Sequence, residues 1–111
     1  MRPSGTETIL HTFTGGADGA YPHAGLVRDA AGNLYSTTGG GGGSTVCSDG
    51  CGTVFKVRPS GTETVLYSFT GGADGRTPYA GLLRDAAGNL YGTTYSGAPP
   101  GYYGVAFRLT P

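Results

Sequence analysis

The chain carries GLVRDAAGNLY at positions 25–35 and GLLRDAAGNLY at positions 81–91, an offset of 56. The same offset aligns residues 3–38 with 59–94, where eight of the 36 pairs differ. Further on, GTVF at 52–55 matches GVAF at 104–107 at an offset of 52, so the second unit is four residues shorter in one loop. A fixed period is the sequence signature of stacked structural repeats. The sequence therefore predicts two copies of one unit, divided at residues 1–58 and 59–111.

Each unit has the pattern of short strands separated by turns. Residues 62–69, TETVLYSF, are rich in β-branched and aromatic side chains, which suit a pleated sheet. The loops AAG and RPSG carry Gly and Pro where tight turns require them, and each predicts a hairpin. No segment keeps the apolar spacing of a helix. We predict an all-β fold with four strands per unit: a at 24–29, b at 33–38, c at 53–57 and d at 62–69. Three strand tyrosines are expected in the core: Tyr35, Tyr67 and Tyr91.

Four-stranded units of this period are typical of β-propeller blades, so we predict two four-stranded blades per chain. Complete propellers have about 4–8 blades, and two blades leave their faces and edges open. The first d strand, at 6–13, has no c strand before it, and the last c strand, at 105–109, has no d strand after it. Since exposed edges are avoided, we expect each N-terminal strand to complete the C-terminal blade of a neighbour. The predicted partner is the chain itself, as a six-bladed homotrimer ahead of an eight-bladed homotetramer, with no stable monomer.

Composition limits the other partners. The 111 residues fit one small domain, and seven basic residues balance seven acidic ones, so no basic surface for nucleic acid is expected. No apolar run approaches the ~18 residues of a membrane helix, and residues 1–3 open no signal peptide. We therefore predict neither nucleic-acid binding nor membrane insertion.

The two cysteines predict a local disulfide. Cys47 and Cys51 flank a Ser-Asp-Gly turn, so a bond between them would close one short loop. Zinc would need two further ligands, and the candidates His11 and His23 have no counterpart in the second unit. Two free thiols are the remaining alternative. We predict no metal and no cofactor.

Catalytic chemistry is not expected either. The repeat replaces His11 by Tyr67 and His23 by Tyr79, so no histidine belongs to the repeated pattern and no hydrolytic triad can be assembled from it. The run of five glycines at 39–43 lacks the Lys and the helix of a phosphate-binding loop. We therefore predict that the chain is not an enzyme.

Four long loops, at 14–23, 39–52, 70–79 and 95–103, lie on one face of the predicted fold, where a ligand would bind. One Asp per GGADG loop is too few for calcium, and a turn role is the simpler one. Exposed aromatic, acidic and basic side chains suit stacking on and hydrogen bonding to a sugar or peptide. Alternatively, the tyrosines pack between blades. The candidate ligand-binding residues are Asp18, Tyr21, His23, Asp74, Arg76, Tyr79, Tyr95, Tyr102 and Tyr103.

The fuller pattern of GGADG, AGL, RDAAGNLY, GTVFK and PSGTETVLYSF resembles the GloVer-type (choice-of-anchor) tandem repeat. The run at 25–35 is also similar to the first hairpin of NHL-type blades. The resemblance implies a blade-like fold and an extracellular or cell-surface location, and it supplies no active-site residues. The predicted function is a self-assembling, multivalent, lectin-like module, similar in assembly to two-blade lectins that trimerise. The alternative is a structural or interaction scaffold, either part of a longer surface protein or an engineered two-blade protein.

Overall fold

The structure is a computed structural model that describes residues 9–43, 47, 50–72, 74–78, 80–96 and 104–111. Its strands form two antiparallel sheets of four and three strands, in the orders β1-β2-β3-β4 and β5-β6-β7. The prediction of an all-β fold is confirmed. The strands are β1 (Val27–Arg28), β2 (Leu34–Thr38), β3 (Thr53–Val57), β4 (Glu63–Ser68), β5 (Leu83–Arg84), β6 (Leu90–Thr93) and β7 (Ala106–Leu109). Within the described ranges, no helix is long and apolar enough to span a membrane.

The first sheet contains the four strands predicted for one unit, in the predicted order. Strand a is shorter than predicted, because only Val27 and Arg28 pair with β2. Nearer its start, the carbonyl oxygen of Gly25 accepts a hydrogen bond from the Ser36 side chain instead of a ladder amide. The described part of the first d strand, 9–13, is not a strand, since no neighbouring strand pairs with it there.

A carboxylate organises the turn of each a–b hairpin. Asp29 accepts hydrogen bonds from the backbone and side-chain nitrogens of Asn33, at 2.9 and 3.0 Å, and from the Tyr35 hydroxyl at 2.8 Å. Gly32 closes the turn at a φ of +88°, a conformation that favours glycine. The Asn33 side chain, followed by Tyr35, lowers the pKa of Asp29 far below its usual range. This local network explains why both units carry Asp, Gly, Asn and Tyr at these positions of the hairpin.

Asp85 repeats that network in the second unit with Asn89 and Tyr91. The prediction that Tyr91 lies in the core is nevertheless wrong, because 37% of its surface is exposed, whereas Tyr35 is only 8% exposed. The second sheet covers Tyr35, and nothing in the described residues covers Tyr91 in the same way. Its exposure therefore results from its position in the last sheet.

The core lies between the two sheets. Tyr35 and Val54 of the first sheet and Phe69, directly after β4, are buried with Leu82, directly before β5, and Leu90 of β6. Polar contacts also join the units: the amide of Thr77 donates to the Cys51 carbonyl at 2.7 Å, and the hydroxyl of Thr37 donates to the Pro78 carbonyl at 3.3 Å. The two sheets therefore stack face against face, and each unit completes the core of the other.

Candidate functional site

The two GGADG loops hold their aspartates in the same way. Asp18 accepts hydrogen bonds from the Thr14 hydroxyl at 2.6 Å, from the Thr14 amide at 3.1 Å and from His11 Nε2 at 3.1 Å. The Thr14 hydroxyl is the largest of the influences that lower the pKa of Asp18. The carboxylate is thus engaged within its own loop.

Asp74 makes the equivalent bonds to the hydroxyl and amide of Thr70, and Tyr67 takes the place of histidine as the third donor. Burial opposes ionisation of Asp74, but the hydrogen bonds from Thr70 and Tyr67 outweigh it and lower its pKa. The same bond to Asp74 is the main cause that raises the pKa of Tyr67 to about 12. Both aspartates therefore shape their loops. In the described part of the chain, no three His, Cys, Asp or Glu residues are grouped to hold a metal ion.

The described candidate ligand-binding residues lie in separate loops. Tyr21 and Tyr95 are exposed, and Tyr21 has a positive φ of 57°. Thr77, at the repeat position of Tyr21, has a φ of 58°, so this strained conformation belongs to the unit and not to tyrosine. The carbonyl of each accepts a backbone hydrogen bond, from Gly39 and from Tyr95 respectively. The strain is therefore held by the loop geometry.

Arg76 and His23 belong to the same loops. Arg76 forms an isolated backbone bridge with Ser96, and its guanidinium lies 3.8 Å from Cys47 Sγ. His23 is exposed. Three further candidates lie outside the described residues: Tyr79, Tyr102 and Tyr103.

A disulfide joins Cys47 and Cys51. Cys51 is fully buried in the core between the units, and its carbonyl accepts the Thr77 amide of the second unit. The disulfide loop therefore lies against the junction of the two units.

Each sheet has two distinct faces, and the repeat makes them comparable. Cross-strand partners share a face, so Leu34 lies beside Val57, and Ser36 beside Phe55. We call this the leading face. In the second unit the leading face packs against the first sheet. The residues that define the leading face are Leu26, Leu34 and Phe55 in the first unit and Leu82, Leu90 and Phe107 in the second.

The opposite, trailing face carries Val27 paired with Tyr35, and Thr37 paired with Val54. In the first sheet this face packs on the second unit, where Tyr35 and Val54 join the core. The equivalent positions of the second sheet are exposed, with Leu83 73% accessible. The trailing face of the second sheet is therefore open.

The leading face of the first sheet is open only in part: Phe55 and Val57 are buried, and Phe13 packs on Phe55, but Leu26 is exposed. Leu82 is 3% exposed in the second unit, whereas its equivalent Leu26 is 57% exposed in the first. Leu90 is fully buried, whereas Leu34 is only partly so. The internal junction thus consists of one trailing and one leading face. Among the described residues, the trailing face of the second sheet is open, and the leading face of the first sheet is open around Leu26.

The second sheet also has an open edge. β3 pairs with β2 on one side and β4 on the other, whereas β7 pairs only with β6 among the described strands. Phe107 and Leu109 are accordingly only partly buried, whereas their equivalents Phe55 and Val57 are buried.

These surfaces could not be picked out from the sequence as individual residues, because Leu26 and Leu82 stand in identical GL dipeptides. The sequence did carry one indication of open surfaces. The same apolar positions recur in both units, although two units can form only one junction within the chain.

The comparisons agree with the repeat. The search of curated proteins found no match. The family profile described as the Gloeobacter/Verrucomicrobia repeat matches residues 1–111, the whole chain. The resemblance to a tandem-repeat family is thereby confirmed, and the chain belongs to the Gloeobacter/Verrucomicrobia repeat family.

Proposed function

We propose that the chain is a self-assembling module whose two sheets are β-propeller blades and whose copies associate head to tail. The observation that carries this proposal is the pairing of surfaces within the chain. The trailing face of the first sheet already covers the leading face of the second. A trailing face at one end, and the part of a leading face around Leu26 at the other end, are left open. A second copy offers each open face the partner that its equivalent already has.

Burial of exposed apolar side chains would favour this association. Leu26, Leu83 and Tyr91 are exposed apolar side chains at positions that are buried or partly buried in the internal junction. Clustered exposed apolar residues mark interaction surfaces, and their burial is favourable by about 25 cal/mol per Å² of apolar surface. Stacking a second copy would give these side chains the environment of Leu82, Val27 and Tyr35.

The two open faces differ, so the interface is of the heterologous kind. Such contacts close into rings when the rotation between copies permits it. Propellers contain about 4–8 blades, and two blades per chain give six in a homotrimer and eight in a homotetramer; we propose the homotrimer ahead of the homotetramer. In this proposal the protein acts as a structural and interaction repeat and not as an enzyme.

The test is the mass of the native chain together with a complementation experiment. Light scattering is expected to give about three or four times the 11.2 kDa of one chain. Leu26→Glu blocks the leading face and Leu83→Glu the trailing face, so each variant alone should lose the oligomer. Mixed together, the two variants retain one compatible pair of faces and should form a one-to-one complex of twice the chain mass.

The matched control is Ser60→Glu, an exposed substitution in the turn between β3 and β4, which should leave the mass of the wild type unchanged. A folded wild-type species of 11.2 kDa would overturn the proposal. A mixture of the two face variants that never forms a complex would overturn it as well.

A second candidate function is multivalent binding of a sugar or peptide through the loop face. The observation that favours it is the exposure of Tyr21 and Tyr95, because exposed tyrosines suit stacking on a ligand. Several equivalent weak sites on one oligomer would bind with increased avidity. An extracellular or cell-surface location fits this role.

A glycan array probed with the wild type and with Tyr21→Ala plus Tyr95→Ala tests the binding function. Specific signal that is lost in the variant supports it. A blank array for the wild type, or signal that the variant retains, leaves the scaffold function alone.

A further inference from the structure

We propose that the open edge of β7 binds a β-strand from a second copy of this chain, and that the strand includes residues 9–13. This inference rests on the proposed head-to-tail association. It adds a backbone-paired strand exchange to the stacking of faces.

The first step is a groove along the edge. A cavity of about 410 Å³ is lined by every residue from Val105 to Leu109. Alternate side chains of a strand point to opposite faces, so a cavity lined by five successive residues follows the backbone edge and not one face. Its other wall is formed by Tyr67 of β4 and by Phe69 and Asp74, which follow β4 in the chain. An unpaired edge beside an apolar wall is a template for an added strand.

In the first sheet, the edge that corresponds to the open edge of β7 is occupied. The repeat counterpart of β7 is β3, whose outer edge is paired with β4 through five residue pairs. The counterparts of Tyr67 and Asp74 are His11 and Asp18, and both act electrostatically on Glu63 of β4. In the first sheet, β4 thus occupies the position beside β3 that is left open beside β7 in the second sheet.

The N-terminal segment of the chain has the sequence of the strand that the groove would accept. Residues 6–13, TETILHTF, repeat the β4 sequence TETVLYSF at 62–69. The described part, 9–13, lies in no strand, and the side chains of Ile9 and Leu10 are exposed. A segment with the sequence of the fourth strand is therefore present, and its described residues, 9–13, belong to no sheet of their own chain.

The described residues of that segment, 9–13, lie against the first sheet of their own chain. The ring of Phe13 packs edge-on against Phe55 at 5.0 Å and 70°, whereas Phe69 packs on Phe107 at 5.3 Å and 68°. These are repeat-equivalent pairs with nearly equal geometry. The segment therefore lies on the leading face of the first sheet, where the fourth strand of a preceding sheet would be. A second copy that stacks its trailing face there would bring its β7 alongside.

The pairing register follows from the first sheet. Val54 lies opposite Tyr67 and Phe55 opposite Val65, with an irregularity between the two pairs. Transferred by the repeat offsets, Ala106 of one copy lies opposite His11 of the next, and Phe107 lies opposite Ile9. The four residues lie in the described part of the chain, so the register can be tested directly.

The experiment is disulfide cross-linking in the full chain. The double variant His11→Cys with Ala106→Cys, oxidised with copper phenanthroline, should give covalent dimers and larger species on a non-reducing gel. The control His11→Cys with Thr110→Cys is four residues out of register, roughly 13 Å along the strand, and should cross-link at least tenfold less. Deleting residues 1–12 should remove the discrete oligomer, whereas trimming Pro111 should have little effect.

The outcomes separate this inference from the proposed function. If the face variants complement each other but the in-register cysteines do not cross-link, the faces stack without strand exchange and this inference is wrong. A bond formed within one chain would also overturn it. If complementation fails as well, the head-to-tail association itself is wrong.

Discussion

Truncating Leu26 should be far more damaging in the oligomer than the isolated chain indicates. In one copy the side chain is 57% exposed, so its removal should lower the free energy of unfolding by about 1 kcal/mol or less. Its equivalent Leu82 is 3% exposed, and Leu→Ala at such a site costs about 2–5 kcal/mol. If stacking gives Leu26 the surroundings of Leu82, Leu26→Ala should reach that same range.

Urea unfolding of the wild type, Leu26→Ala and Leu82→Ala measures the difference. The curves should be recorded at a high and a low protein concentration, because an associated protein is stabilised by mass action. At high concentration the two variants should be destabilised to a similar extent, and dilution should diminish the effect of Leu26→Ala alone. A loss of less than 1 kcal/mol for Leu26→Ala, under conditions where the wild type is oligomeric, would refute the reasoning.

Two further predictions concern the disulfide and acid stability. Replacing Cys47 and Cys51 together by Ser should leave the native mass unchanged and lower the free energy of unfolding by no more than about 2 kcal/mol, the entropic value for so short a loop; dissociation on reduction would contradict this. The folded-state pKa values of Asp18, Asp29, Asp74 and Asp85 are lowered, so their stabilisation is present above the unfolded value of 3.8 and is lost as the pH falls through the lower folded values. Urea unfolding between pH 7 and pH 2 should show this loss, and Asp29→Asn with Asp85→Asn should flatten the pH dependence.

The sequence predicted the strands well because local chemistry defines their boundaries. Turn formation by Asp29, Asn33 and Gly32 fixes the a–b hairpin within a few residues. The c–d hairpin is likewise closed locally, since the Gly61 amide donates a hydrogen bond to the Arg58 carbonyl across the turn. Such interactions join residues that are close in sequence, so they can be predicted without a structure.

Burial was harder to predict because identical sequences occupy different environments. Tyr35 and Tyr91 have the same neighbours in sequence and the same bond to an aspartate, yet only Tyr35 is covered by another sheet. The third hydrogen bond to each loop aspartate was also missed, because His11 and Tyr67 look unrelated until the structure aligns their donors on Asp18 and Asp74. Position in the stack is a property of the fold and not of the local sequence.

The direction of the stack has a consequence for how an assembly would meet its surroundings. Tyr21 and Tyr95 belong to loops on one side of their sheets, and head-to-tail stacking about a single axis keeps that side the same in every copy. An assembled ring would therefore be a disc with two unlike sides, one bearing the long loops and the other the tight turns. Such a disc can lie flat on a surface through one side only, so all of its loop tyrosines would face the same target at once.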